Sequence, residues 1–443
     1  MKRLLKSFFL VLVLVMPALA SAATFYVRAG ATGRADGSDW ANAYTSLPST
    51  LARGSDYYIA GGNYPAYTFN TPASGTTVIS VKKATVANHG TSTGWSDSYG
   101  TQAQFPSFRF TTSHWVVDGQ TGGGPGSWTS GFGFRINQTS NNGVLINPQS
   151  GSVSNITVRH FEVIGTRKAQ AGADAFSIPH LGTATLSNVT VSHFYFDQIS
   201  RCPFFLAPGT SANGILIEYG YTGVYGDLTN TVHSEIASMW AGIGNVTFRY
   251  NIFTYVYSTG GLMWGDADGL YVYGNVFYKR ANSATWDYPN GIIGTWTAFT
   301  ATNVKVYNNT FVDITAPSGS GNVFGSLYTS PTTGNEIRNN LFVNVSRPMG
   351  GGALFPTQTH NHFIGTTAFG TYSTTGSGDP FVDKANLDFR LTTATPAGTA
   401  LASPYAADAW GIARGSDGTI DRGAYEFNGK AAVVPPPTGL TVR

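Results

Sequence analysis

The chain has 443 residues, of which 42% are apolar, 14% aromatic and only 11% charged, so it can bury a large core but must dress its surface with Ser, Thr, Asn and Gly. Basic residues number 26 and acidic ones 23. Without Lys2, Arg3 and Lys6 of the first 22 residues the balance is 23 to 23, which removes the basic excess that a nucleic-acid or membrane-surface partner requires.

In chain order, "MKRLLKSFFLVLVLVMPALASAA" has a basic start, an apolar run too short for a membrane span, and small residues Ala20-Ser21-Ala22 placed for cleavage. Residues 1–22 therefore read as a secretory signal peptide, and the rest is expected to be secreted or periplasmic with no membrane span. The one cysteine, Cys202, forbids an internal disulfide and reads as a structural thiol. Residues 23–428 form one predicted domain in which "TFYVRAG" caps an open sheet end and a single solenoid runs from about residue 105 to 400. The tail 429–443, "GKAAVVPPPTGLTVR", is Pro-rich and reads as a linker or a disordered end.

Seven segments share one frame: "NITVRHFEV" from 155, "NVTVSHFYF" from 188, "GILIEYGYT" from 214, "NVTFRYNIF" from 245, "GLYVYGNVF" from 269, "NVKVYNNTF" from 303 and "GNEIRNNLF" from 334. Offsets of 24 to 34 residues with one strand core per repeat are the mark of a solenoid whose coils bury their apolar side against their neighbours. Val246 and Phe248 should point inward, Thr247 and Arg249 outward. Asn251, Asn275, Asn309 and Asn340 follow the strand at a shared position, where Asn tolerates left-handed geometry and can bond to its equivalent one coil away. Phe196, Phe253, Phe277, Phe311 and Phe342 then return to the core and can stack.

Outward positions carry Arg159, Ser192, Glu218, Arg249, Tyr273, Tyr307 and Arg338 in one column and Thr157, Thr190, Leu216, Thr247, Tyr271, Lys305 and Glu336 in the other. With coils about 4.8 Å apart, each column forms a stripe. Guanidinium pairs with carboxylate and aromatic faces cover sugar rings, so Arg159, Glu218, Tyr271, Tyr273, Lys305, Tyr307 and Arg338 are candidate binding residues for an acidic polysaccharide; Tyr and Thr are also ordinary strand formers. Arg249, flanked by Glu218 and Tyr273, is where a substrate carboxylate would meet a guanidinium held by an acid. A second basic set, Arg167, Lys168, Arg201, Lys279 and Arg280, lies just beyond the strands, as a cleft flank or as solvated turn residues.

"TVHSEIASMW" places His233 and Glu235 two residues apart before the strand of Arg249, and "WGDADG" places Asp266 and Asp268 at the entry to the next. His233, Glu235 and Arg249 are candidate catalytic residues, and Asp266 and Asp268 candidate ligands for Ca²⁺, a hard cation that oxygen donors share. Metal beside an Arg would neutralise a uronate carboxylate and ease removal of the neighbouring proton, as eliminative cleavage requires. A plain turn and a satisfied strand histidine are the bland alternatives.

This pattern, with "GRADGSDWANAYTSL" (33–47), "SHWVVDGQ" (113–120), "GDPFVDKANLDFRL" (378–391) and "DRGAYEF" (421–427), resembles secreted right-handed parallel β-helix proteins of the pectate lyase-like group over residues 24 to 428. The resemblance implies an all-β fold: a right-handed parallel β-helix, or solenoid, with an N-terminal cap, expected to be a monomer. It does not select a chemistry, because that scaffold carries lyases, hydrolases, epimerases and binding proteins. The chondroitinase B and alginate lyase family has Glu-x-Glu for calcium with a catalytic lysine and arginine; here His233-Ser234-Glu235 stands instead and no lysine occurs between Lys168 and Lys279. The "NTD", "DD" and "GHG" cluster of β-helix hydrolases is missing, although Glu218 and Glu235 could do acid–base work. A polysaccharide lyase acting at a uronate is the leading expectation, beside a non-catalytic glycan-binding or surface protein and a glycoside hydrolase.

Overall fold

The computed structural model describes residues 23–139, 142–168, 173–227, 234–254, 260–265, 267–279, 291–295, 301–315, 323–325, 333–350 and 355–429. Among them there is no α-helix, and hence no helix long and apolar enough to cross a membrane. The strands form two long parallel sheets, one of 22 and one of eight strands among the described residues. The chain passes from one sheet to the other and back: Thr185–Asp197 lies in the larger, Phe204–Leu206 in the smaller, Ser211–Glu218 in the larger, Glu235–Met239 in the smaller and Ile243–Arg249 in the larger. Each strand pairs with its equivalent one circuit on, an arrangement that fits a parallel β-helix. Only Phe381–Asp383 and Asp388–Leu391 pair antiparallel among the described strands.

The repeat frame is the pairing register. Ile156, Val189, Ile215, Val246, Leu270 and Val304 are successive partners, and Lys305 then pairs with Glu336. The first residue of every segment, Asn or Gly, has a φ between 46° and 79°, a left-handed turn that these two residues tolerate best. Parallel pairing begins well before residue 105: Thr24–Val27 enters the larger sheet on Asp56–Ile59.

The asparagine ladder forms and is buried. Asn251, Asn275, Asn309 and Asn340 each donate from the backbone N–H and from Nδ2 to Oδ1 of the next, at 2.9–3.1 Å, and the series runs on to Asn361. Left-handed geometry sits one residue earlier than expected, at Tyr250, Gly274, Asn308, Asn339 and His360. The turn taken there aims the following amide into the core, where both hydrogens of Asn251, Asn275, Asn309 and Asn340 find acceptors; Nδ2 of Asn361, at the end of the series, meets none among the described residues. Phe253, Phe277, Phe311 and Phe342 stack at 5.0–5.2 Å and continue to Phe363 at 4.9 Å. Thr222, paired between Phe196 and Phe253, separates Phe196 from that stack.

A second apolar cluster lies outside the larger sheet. Tyr250, Ile252, Tyr273, Val276, Tyr307 and Leu341 pack there beneath Phe381, Phe389, Ala409, Ala424 and Tyr425 of the C-terminal segment, so the end of the chain covers part of the outward face.

Candidate functional site

The outward column predicted from alternation is continuous. Asp118, Arg159, Ser192, Glu218, Arg249, Tyr273, Tyr307 and Arg338 are partners on successive coils. Arg249 is held as expected: Nε and Nη2 meet Glu218 Oε2 at 2.7 and 2.5 Å, and Nη1 donates to the Tyr273 hydroxyl at 3.1 Å. Further along, Glu336 accepts from Lys305, Tyr307 and Arg338 at 2.6–2.8 Å. Most cations of the column are thus neutralised by acids of the same face.

The C-terminal segment decides which of these side chains stay open. Tyr273 and Tyr307 are 2% and 5% exposed, each with Tyr405 edge-on to its ring at 4.8–4.9 Å, and Tyr271 is packed against the same cluster. The ring faces proposed to cover sugars are therefore occupied by the protein's own chain. Asp408 caps the covering hairpin, and Glu426, 3% exposed, lies 3.6 Å from Arg414 beside Asp421. Burial pushes the Glu426 carboxyl up to about 7, against the lowering effect of N–H groups from Gly415 and Asp421 and of Arg414. Folded Glu426 therefore keeps a proton that the unfolded chain loses above its ordinary value of 4.5, so stability falls as pH rises from 4.5 to about 7. Melting temperature is expected to drop across that window, and Glu426→Gln is expected to flatten the profile; identical profiles would refute this.

At the other end of the column the Arg159 side chain is open to solvent, above a buried Asp118. Asp118 accepts from Arg159 Nε at 2.9 Å and Nη2 at 2.8 Å through Oδ2, and meets His160 Nδ1 at 2.7 Å through Oδ1. Burial raises the Asp118 carboxyl, but hydrogen bonds from His160 and the Gln120 N–H, with the charge of Arg159, outweigh it and hold it below the usual carboxylate range. The Arg159 side chain is 46% exposed and that of His160 21%. A carboxylate at Nδ1 fixes the neutral tautomer with the lone pair on Nε2, and no described residue donates to that atom. The ring of His193 lies 4.6 Å away; burial chiefly, with the neighbouring His160 ring and the Arg159 guanidinium, lowers its pKa to about 4, which leaves it neutral. Its Nδ1 meets Ser192 Oγ at 2.7 Å, and that hydroxyl donates to Glu218 at 3.3 Å. One polar line thus runs from Asp118 to Arg249.

His160 and Asp118 were not singled out in the sequence. Asp118 stands in the Arg159 column one coil earlier, a signal that lay within reach. His160 holds the left-handed bend after the strand, with φ 56°, where the repeat frame does not say which way a side chain points.

Glu235 lies apart from this line. It is wholly buried in a strand of the smaller sheet, accepts from Cys202 Sγ at 3.4 Å, and neighbours Asp174, which Arg201 clasps at 2.7 and 2.5 Å. Burial, then Glu235 and Asp174, push the Cys202 thiol well up, in keeping with a structural cysteine. His233, Asp266 and Arg280 lie outside the described residues. Asp268 is exposed and accepts from Thr302 Oγ1 at 2.9 Å and Asn303 Nδ2 at 2.7 Å; it does not converge with Glu235. Among the described residues no three His, Cys, Asp or Glu side chains gather as a metal site. Of the second basic set, Arg167 donates to Gly226 O at 2.8 Å and Lys279 to Thr315 O at 2.6 Å. Compared with known proteins, the sequence matches no family model and no curated protein.

Proposed function

We propose that the protein is a secreted carbohydrate-active protein that takes an acidic polysaccharide along the open end of the outward column and cleaves it by β-elimination at a uronate. Its scaffold would be the right-handed solenoid of the pectate lyase-like group, with the N-terminal segment as cap. The observation that carries the reading is Asp118, which holds a guanidinium and an imidazole on one carboxylate, at 2.8 and 2.7 Å.

Elimination removes the proton on the ring carbon next to the uronate carboxylate. The electron pair left behind forms a double bond to the adjacent carbon, and the glycosidic C–O bond breaks, its oxygen leaving with the bonding pair and taking a proton from water. Arg159, with an exposed edge beyond Asp118, would face the carboxylate and stabilise the charge that develops there. His160 Nε2 would take the proton, its ring held by Asp118 at Nδ1. The Ser192–Glu218–Arg249 line would supply polar contacts to the next sugars, since successive coils repeat every 4.8 Å or about one sugar length.

The test is ultraviolet absorbance of the unsaturated uronate on incubation with polygalacturonate, alginate or chondroitin sulfate, where a steady rise with at least one polymer is expected. New reducing ends without absorbance would mean hydrolysis, and no reaction at all would reduce the column to recognition. That binding-only reading has one observation in its favour: Arg249, Lys305 and Arg338 are committed to acids of the same face.

A further inference from the structure

We propose that Trp410 is a stacking platform for the less polar face of a pyranose ring, forming a sugar subsite where the C-terminal hairpin meets the glycine-rich loop after Asp118. The proposal rests on the glycan reading above.

Trp410 stands at the tip of a short hairpin closed by the antiparallel bridge between Ala407 and Ala413. Asp408 fixes the tip: Oδ1 accepts from the N–H groups of Trp410 and Ile412, each at 2.9 Å, and Oδ2 from that of Glu426 at 3.1 Å. One face of the indole is backed by the Arg390 guanidinium, 5.3 Å from the ring centre, and Arg390 is itself clasped by Asp388 at 2.8 and 2.5 Å. The residue is nevertheless 45% exposed. Trp40, Trp95, Trp115 and Trp240 each donate their indole N–H to a protein oxygen, whereas those of Trp410 and of half-buried Trp128 meet no acceptor among the described residues. An aromatic face that is open, held rigid, and carries a spare donor at its edge loses little conformational freedom when a ring stacks on it.

The loop opposite ties this platform to the candidate centre. A side chain on Gly126 (φ 84°) would come within 3.8 Å of the Trp410 ring, and one on Gly124 would lie 3.0 Å from His193 Cδ2. The loop therefore touches His193 at Gly123 and Gly124 and the indole edge at Gly126, with Pro125 between, and so joins the paired histidines to the platform along one wall. Arg390 is already neutralised by Asp388, so the subsite reads ring shape and is indifferent to a carboxylate. It complements Arg159, whose guanidinium is also paired with an acid but whose side chain is 46% exposed against 24% for Arg390, leaving an edge for a substrate carboxylate.

Affinity electrophoresis of the full chain in gels containing polygalacturonate, alginate or chondroitin sulfate tests this. Trp410→Ala is expected to weaken retardation about two- to tenfold, the range of a lost ring stack, and Trp410→Phe to restore most of it. Hydroxyl-radical footprinting of the unmutated chain supplies a readout independent of folding: saturating polymer should lower oxidation of Trp410 severalfold and leave exposed Tyr372 unchanged. Unaltered Trp410 oxidation, or retardation of Trp410→Ala equal to wild type while Arg159→Ala loses it, overturns the platform and leaves the glycan reading standing. No retardation of the wild type by any polymer overturns both.

Discussion

His160→Asn is expected to lower turnover on the cleaved polysaccharide about 10²- to 10⁴-fold, the range for loss of a positioned general base, while melting close to the wild-type temperature. Asparagine is the right replacement because residue 160 has a φ of 56°, which Asn adopts with little strain and most other side chains do not. The substitution removes the Nε2 lone pair and leaves the strand before it, including the Arg159 contact to Asp118 at 2.8 Å, in place. Asp118→Asn makes the companion experiment: it too should reduce turnover, by releasing the ring and the guanidinium, but it should also lower the melting temperature, since Asp118 is 7% exposed and anchors both partners. Wild-type turnover in His160→Asn would move the chemistry away from this end of the column, towards the buried carboxylates of the smaller sheet.

Asn309→Ala is expected to destabilise the fold by about 2–4 kcal/mol, read as a lower denaturant midpoint at unchanged slope. Asn309 is wholly buried. Its Oδ1 takes two hydrogen bonds from Asn275, and its Nδ2 reaches Val272 O at 2.8 Å and Asn340 Oδ1 at 3.1 Å. Alanine leaves the Asn275 N–H without that acceptor in a place water does not reach, and each such orphan costs roughly 1–3 kcal/mol. Asn309→Asp should be worse, because a carboxylate would turn lone pairs towards Val272 O and Asn340 Oδ1 and bury a charge among amides. Because each coil touches chiefly its neighbours, hydrogen exchange should quicken first at Asn275 and Asn340. A midpoint unchanged in both variants would make the ladder ornamental.

The period-two alternation and the Asn or Gly that opens each segment were sufficient to set the strand register, because a slip of one residue would turn Val246 and Phe248 out and Thr247 and Arg249 in. From that register followed the amide ladder, the phenylalanine stack from Phe253 to Phe342 and the pairing of Glu218 with Arg249, all between groups one coil apart. Three matters lay beyond it. Alternation reports a side chain's face relative to its own strand, so it gave no sign that Glu235 sits in the smaller sheet, buried with Asp174 and Cys202, and not on the face of Arg249. It stops at the bend, so the direction of His160, and with it the clasp by Asp118 from 42 residues away, depended on the left-handed backbone there. Nor does an outward position mean an open one: Tyr273 and Tyr307 point away from the core as predicted, yet Tyr405, about a hundred residues further on in the sequence, closes over them. Local pattern governs which way each strand faces; only the folded chain, in which remote segments compete for the same apolar rings, decides which part of that face solvent and substrate can reach.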